Sequence, residues 1–123
     1  MVRAPGSPVS NASAFDADRL RSELADPTAL RGIVQDTLSE LPGHVYHLRV
    51  AHDDGRLESL ATHARRLAQL FAGLLAFPAS EAALRLRYAA EVASPETGSA
   101  LSRLEQEMEI LARALAAEFD ILY

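Results

Sequence analysis

The chain has no cysteine among its 123 residues. That excludes a disulfide framework, a thiolate metal site and a thiol nucleophile. Lysine is absent too, since all 12 basic residues are arginine. Arginine's planar fork suits phosphate and carboxylate recognition, but a complete lack of lysine reads as genome-wide bias rather than selection at a site. Aromatic residues make up 6% and β-branched residues are scarce. Abundant alanine and leucine therefore favour helices over sheet. No apolar run approaches the ~18 residues of a membrane span. The opening MVRAPGSPVSNASAF lacks the apolar segment of a signal peptide. The formal charge of −5 argues against a nucleic-acid binder that relies on phosphate contacts. A cytoplasmic protein with neither membrane nor nucleic-acid partners fits these absences.

What is present is helical periodicity. A chain of this length is most simply one domain. Residues 1–13, rich in Pro, Gly, Ser and Asn, are expected to form a flexible leader. Residues 14–123 are expected to form the domain, and Met1 with the tapering termini suggests a small free-standing protein. A short helix is expected from Asp16 to Leu24, with Phe15, Leu20 and Leu24 as its apolar contacts. Asp26-Pro27 is a strong start signal: aspartate caps free N–H groups, and proline at the first helical position loses no needed hydrogen bond. Leu30, Ile33, Val34, Thr37, Leu38 and Leu41 then hold a stripe that Val45, Leu48 and Ala51 continue. This predicts one long helix kinked near Pro42.

His52-Asp53-Asp54-Gly55 reads as a turn whose aspartates cap the following helix. That helix begins at Leu57 and ends by Phe77, before Pro78. Its stripe is Leu57, Leu60, Ala61, Ala64, Leu67, Ala68, Phe71 and Leu75. His63 and Arg65 fall on the two shoulders of the stripe, each about 100° from its centre near Ala64. A further helix is expected from Ser80 to Val92, with Ala83, Leu84, Leu86, Tyr88 and Val92 as apolar positions. Ser94-Pro95-Glu96 repeats the cap-then-proline logic before a last helix carrying Leu101, Leu104, Met108, Leu111, Leu115 and Phe119. Short connections between amphipathic helices predict an all-α fold: an antiparallel up-down-up-down four-helix bundle with a short leading helix.

The segment FDADRLRSELADPTALRGIVQDTLSELPGHVYHLRVAHDDGRLESLA resembles the histidine-containing phosphotransfer (HPt) domains of bacterial multistep phosphorelays. The likeness covers the leading helix, the aspartate-proline start, the "ELP" segment and the leucine before a "gD" turn. It implies a partner that is a response-regulator receiver domain or a hybrid histidine kinase. Members of this family carry an H-x-L-K-G motif on the next helix. There an exposed histidine accepts a phosphoryl group, a basic residue three positions on balances charge, and a glycine leaves room for the receiver.

The motif is altered here, and two registers remain open. In one, His63 is the phosphoacceptor, Arg66 is the basic residue and Gly73 is the glycine ten residues on. In the other, gapless alignment puts Arg65 at the acceptor position, with Leu67 two residues later in the core. Arginine cannot accept the group, so the second register describes a degenerate, non-transferring adaptor. Arg65, Arg66, Leu67, Leu70 and Gly73 are the candidate partner or phosphate contacts. The chain would at most be a transfer intermediate, not a stand-alone enzyme. The Mg²⁺ of the reaction would belong to the receiver, and no cofactor is assigned to this chain.

Other sites are weaker. Glu40, His44 and His47 lie one turn apart on a common face and could ligand a metal. Surface histidines are the simpler account, so no metal is assigned. Asp53-Asp54 is sufficiently explained as a turn. The alternative function is a helical interaction or dimerisation module unrelated to phosphorelay.

Overall fold

Asp26 and Pro27 begin the longest helix in the way their chemistry requires. The Asp26 carboxylate accepts hydrogen bonds from the N–H groups of Thr28 (3.0 Å) and Ala29 (3.2 Å), and Pro27 takes the first helical position. The structure, a computed structural model, describes residues 14–122, so the leader expected over residues 1–13 lies outside the described residues. Five helices are present among the described residues: α1 Ala17–Glu23, α2 Pro27–Asp53, α3 Leu57–Gly73, α4 Phe77–Glu91 and α5 Thr97–Glu118. The described residues are all-helical, without strands. None of these helices is long and apolar enough to cross a membrane.

α2 runs unbroken through Pro42. The other helix starts differ from expectation in their caps or in their first residue. α3 begins at Leu57 with no side-chain cap, and Asp54 pairs instead with Arg56 at 3.4 Å. α4 begins at Phe77 rather than Ser80, with Pro78 in its first turn, where a missing N–H costs nothing. α5 begins at Thr97, and the Ser94 hydroxyl accepts from Glu96 N–H at 3.0 Å in the turn ahead of it.

The four long helices end alike. Each is followed, one residue past its C-cap, by a residue in the left-handed region: Gly55, Leu75, Ala93 and Asp120, with φ of 70°, 58°, 51° and 53°. At each end the next N–H reaches back to a helical carbonyl. These bonds are Arg56 to Ala51, Ala76 to Phe71, Ser94 to Ala89 and Ile121 to Ala116, at 2.8–2.9 Å. This is the Schellman motif, which satisfies carbonyls that a helix end would otherwise orphan. Only one of the four positions is glycine, so the other stops are not marked by residue type.

α2 packs on α3, α3 on α4, α4 on α5, and α5 back on α2, with the most extensive contact between α3 and α4. One continuous core joins them, with Val34, Leu48, Leu60, Ala64, Phe71, Leu86, Leu104 and Leu115 fully buried. α4 presents small residues to it: Ala79, Ala82, Ala83, Ala89 and Ala90 flank Leu86. Small side chains let α3 and α4 approach closely, and the buried Ser80 hydroxyl donates to the Ala68 carbonyl at 2.8 Å. The expected stripe on α4 is thereby corrected. Leu84, Tyr88 and Val92 are 46%, 67% and 53% exposed, because alanines occupy the inner face.

α1 is tied across the end of α5. Phe15 stacks on Phe119 with ring centres 6.3 Å apart, and Arg21 lies over the Phe119 ring and pairs with Glu118.

Candidate histidine site between two helices

The Asp53–Gly55 turn folds α3 back alongside α2. His44 lies nine residues before Asp53 and His63 nine after Asp54, so the two come level across the hairpin. His44 Nδ1 and His63 Nε2 stand 3.0 Å apart, one donating to the other. Their rings meet edge-on with centres 5.2 Å apart, and the His47 ring centre lies 6.4 Å from that of His63. The three histidines line a shallow cleft of about 500 Å³ with Glu58, Ser59, Thr62 and Arg66.

Burial holds the His63 imidazole below its ordinary value of 6.5, and the charges of His44, His47 and Arg66 push the same way. Burial also lowers His44, with Glu40 opposing and His47 adding to the shift. Both rings are therefore neutral near pH 7. A neutral pair holds two protons, and one of them sits in the shared hydrogen bond. The two outer nitrogens, His63 Nδ1 and His44 Nε2, are left with one proton and one lone pair between them. The pair can thus present a nucleophilic lone pair while the other ring donates.

The expected shoulders of α3 are observed. Ala64 is fully buried at its centre line. His63 takes the α2 side, while Arg65 takes the α4 side, in a cleft with Arg87 and Glu91. Arg65 and Arg66 are exposed and His63 is half-buried. Leu67 is 1% exposed, so it is a core residue and offers nothing to a partner, a correction to its place on the expected docking face. It fills the space beneath the helix because it sits three residues from Ala64 on the buried stripe. Leu70 is half-buried and packs against the core, and Gly73 is the exposed last residue of α3.

As the side chains stand, no group of three or more His, Asp or Glu is arranged to hold a metal ion among the described residues. Glu40 thus does not join His44 and His47 around one point, although its charge reaches His44. The sequence reading treated His63 and the His44–His47 pair as separate features. Their equal distance from the turn was the signal that joins them. No family profile, curated protein or solved structure matches this chain.

Proposed function

We propose that the chain is an HPt-like signalling module: a four-helix bundle that docks a receiver domain or a hybrid histidine kinase in the cytoplasm. The cyclic packing of α2, α3, α4 and α5 through short connections supports the up-down-up-down bundle. The observation that carries the functional reading is the setting of His63. It is half-exposed, held in its neutral, nucleophilic form by burial, and shares its cleft with Arg66 one turn on.

In this reading a lone pair of His63 attacks an aspartyl phosphate on the receiver. A nitrogen–phosphorus bond forms, the acyl-phosphate bond breaks, and the aspartate leaves as a carboxylate. Arg66 contacts the phosphoryl oxygens. In-line placement and most of the charge stabilisation come from the receiver and its Mg²⁺. The test is transfer from a panel of phosphorylated receivers, comparing wild type with His63→Ala and scoring acid-labile, base-stable label. Label that disappears in the variant supports the reading.

A second form of the reading rests on Arg65. Its exposure, with Leu67 in the core, fits the register in which Arg65 stands at the acceptor position. The chain then docks the same partners without transfer, as a degenerate adaptor. Receiver binding with no label from any receiver is its expected result. A helical interaction or dimerisation module draws on a different observation, the exposed Leu84, Tyr88 and Val92 at every fourth position of α4. A concentration-dependent dimer that Tyr88→Arg dissociates, with no receiver binding, would favour it.

A further inference from the structure

We infer that His44, His47 and His63 form a binding site for a divalent transition metal, Zn²⁺ being the best fit, which clamps α2 to α3. Zinc takes imidazole nitrogens at about 2.0–2.1 Å in tetrahedral geometry, which puts two such nitrogens about 3.3 Å apart and their ring centres about 5 Å apart. His44 Nδ1 and His63 Nε2 are 3.0 Å apart, and their ring centres 5.2 Å. The two rings therefore stand close to the spacing of two ligands of one ion, and because their nitrogens now aim at each other across the hydrogen bond, each ring must turn by about 35° for an ion to sit beside the N···N line. Metal binding moves the proton shared in that bond, by tautomer exchange through solvent, to the outer nitrogen that holds the lone pair, so each neutral ring keeps one N–H and gives the ion one lone pair.

The third ligand needs a side-chain adjustment. His47 lies one turn from His44 on α2, is exposed, and has its ring centre 6.4 Å from that of His63. Common ligation requires the His47 side chain to turn so that its ring closes on that of His63 from 6.4 Å toward the ~5 Å of co-ligands. This unturned ring accounts for the lack of a ready three-ligand group in the side chains as they stand. Three histidines leave a fourth position for water, or for Glu58 in the same cleft. Arg66 opposes a cation there, but its exposed side chain can swing away, and Glu40 and Glu58 supply offsetting negative charge. Oxygen-preferring Mg²⁺ and Ca²⁺ are not expected to bind a nitrogen site of this kind. The inference is independent of phosphoryl transfer, although an ion on His63 Nε2 would keep Nδ1 protonated and so without the lone pair that transfer needs.

The test is titration of the metal-stripped full chain with ZnCl₂ alone, followed by calorimetry and by thermal melting. One ion per chain and a raised melting temperature are expected, with no response to MgCl₂. His63→Gln and His44→Gln should each weaken binding at least ~10-fold, since even outer-shell changes at metal sites cost 10–100-fold. His47→Gln should weaken it to a lesser degree, and His52→Gln should leave it unchanged. Visible absorption of tetrahedral Co²⁺ on the wild-type chain gives a readout that needs no variant to fold. Absence of zinc binding, or binding that survives His63→Gln and so belongs to α2 alone, overturns the inference.

Discussion

His44 Nδ1 lies 3.0 Å from His63 Nε2, joining two helices through residues 19 positions apart in the chain. Burial lowers both imidazoles, and the charges of His44, His47 and Arg66 push His63 further down. The consequence is a pair that resists protonation more than either residue would in an unfolded chain.

Stability should therefore depend on pH in a definite sense. The folded-state values of both histidines lie below 6.5, so beneath that pH the unfolded chain binds more protons than the folded one. The contribution is complete above about pH 6.5 and is lost as pH falls from there through the folded-state values. In metal-free buffer, the melting temperature should drop between about pH 7.5 and about pH 5.5, and less so in the His44→Gln/His63→Gln double variant. Identical pH profiles for the two proteins would show that the pair carries no linkage.

Leu67 and Arg66 are neighbours in sequence with opposite fates. Leu67→Ala should cost about 2–5 kcal/mol, the range for a leucine truncated in a packed core. Arg66→Ala should change stability by no more than about 0.5 kcal/mol, as expected of an exposed residue. Urea denaturation of both variants checks the orientation of α3. Equal effects would mean that the helix faces another way.

Ala93 holds a left-handed conformation with φ of 51° and is exposed. A Cβ in that region costs about 1–2 kcal/mol, and glycine's greater freedom when unfolded takes back about 0.4–1 kcal/mol. Ala93→Gly should raise stability by about 0.5–1 kcal/mol in equilibrium unfolding. Leu75 has a similar backbone, but its side chain is buried. Leu75→Gly should destabilise instead, since lost packing outweighs relieved strain. The contrast between the two substitutions is the informative result.

Pro42 sits inside α2 and leaves the Leu38 carbonyl without its usual donor. Interior proline costs a helix about 3 kcal/mol relative to alanine, partly offset by its stiffness in the unfolded chain. Pro42 is exposed, so little packing would be lost. Pro42→Ala should gain about 1–3 kcal/mol, measured by denaturant midpoint. A loss would mean that Pro42 is needed for the packing of α2 on α3 and α5.

Local chemistry made much of this protein legible in its sequence. The Asp26-Pro27 start, the stripes of α2, α3 and α5 (save Ile33 of the α2 stripe, which is 40% exposed), and the shoulder positions of His63 and Arg65 all follow from short-range rules. Capping needs neighbours within four residues, and helical periodicity needs only the chain itself. The tertiary structure decided the rest. The inner face of α4 depends on how near α3 comes, and that closeness turned Leu84, Tyr88 and Val92 outward. Leucine, alanine and aspartate occupy left-handed helix ends because flanking packing and hydrogen bonds hold them there, against their intrinsic preference. The meeting of His44, His47 and His63 belongs to neither helix alone. It arises because a tight turn sets α2 and α3 in register, a relation that periodicity along one helix does not express.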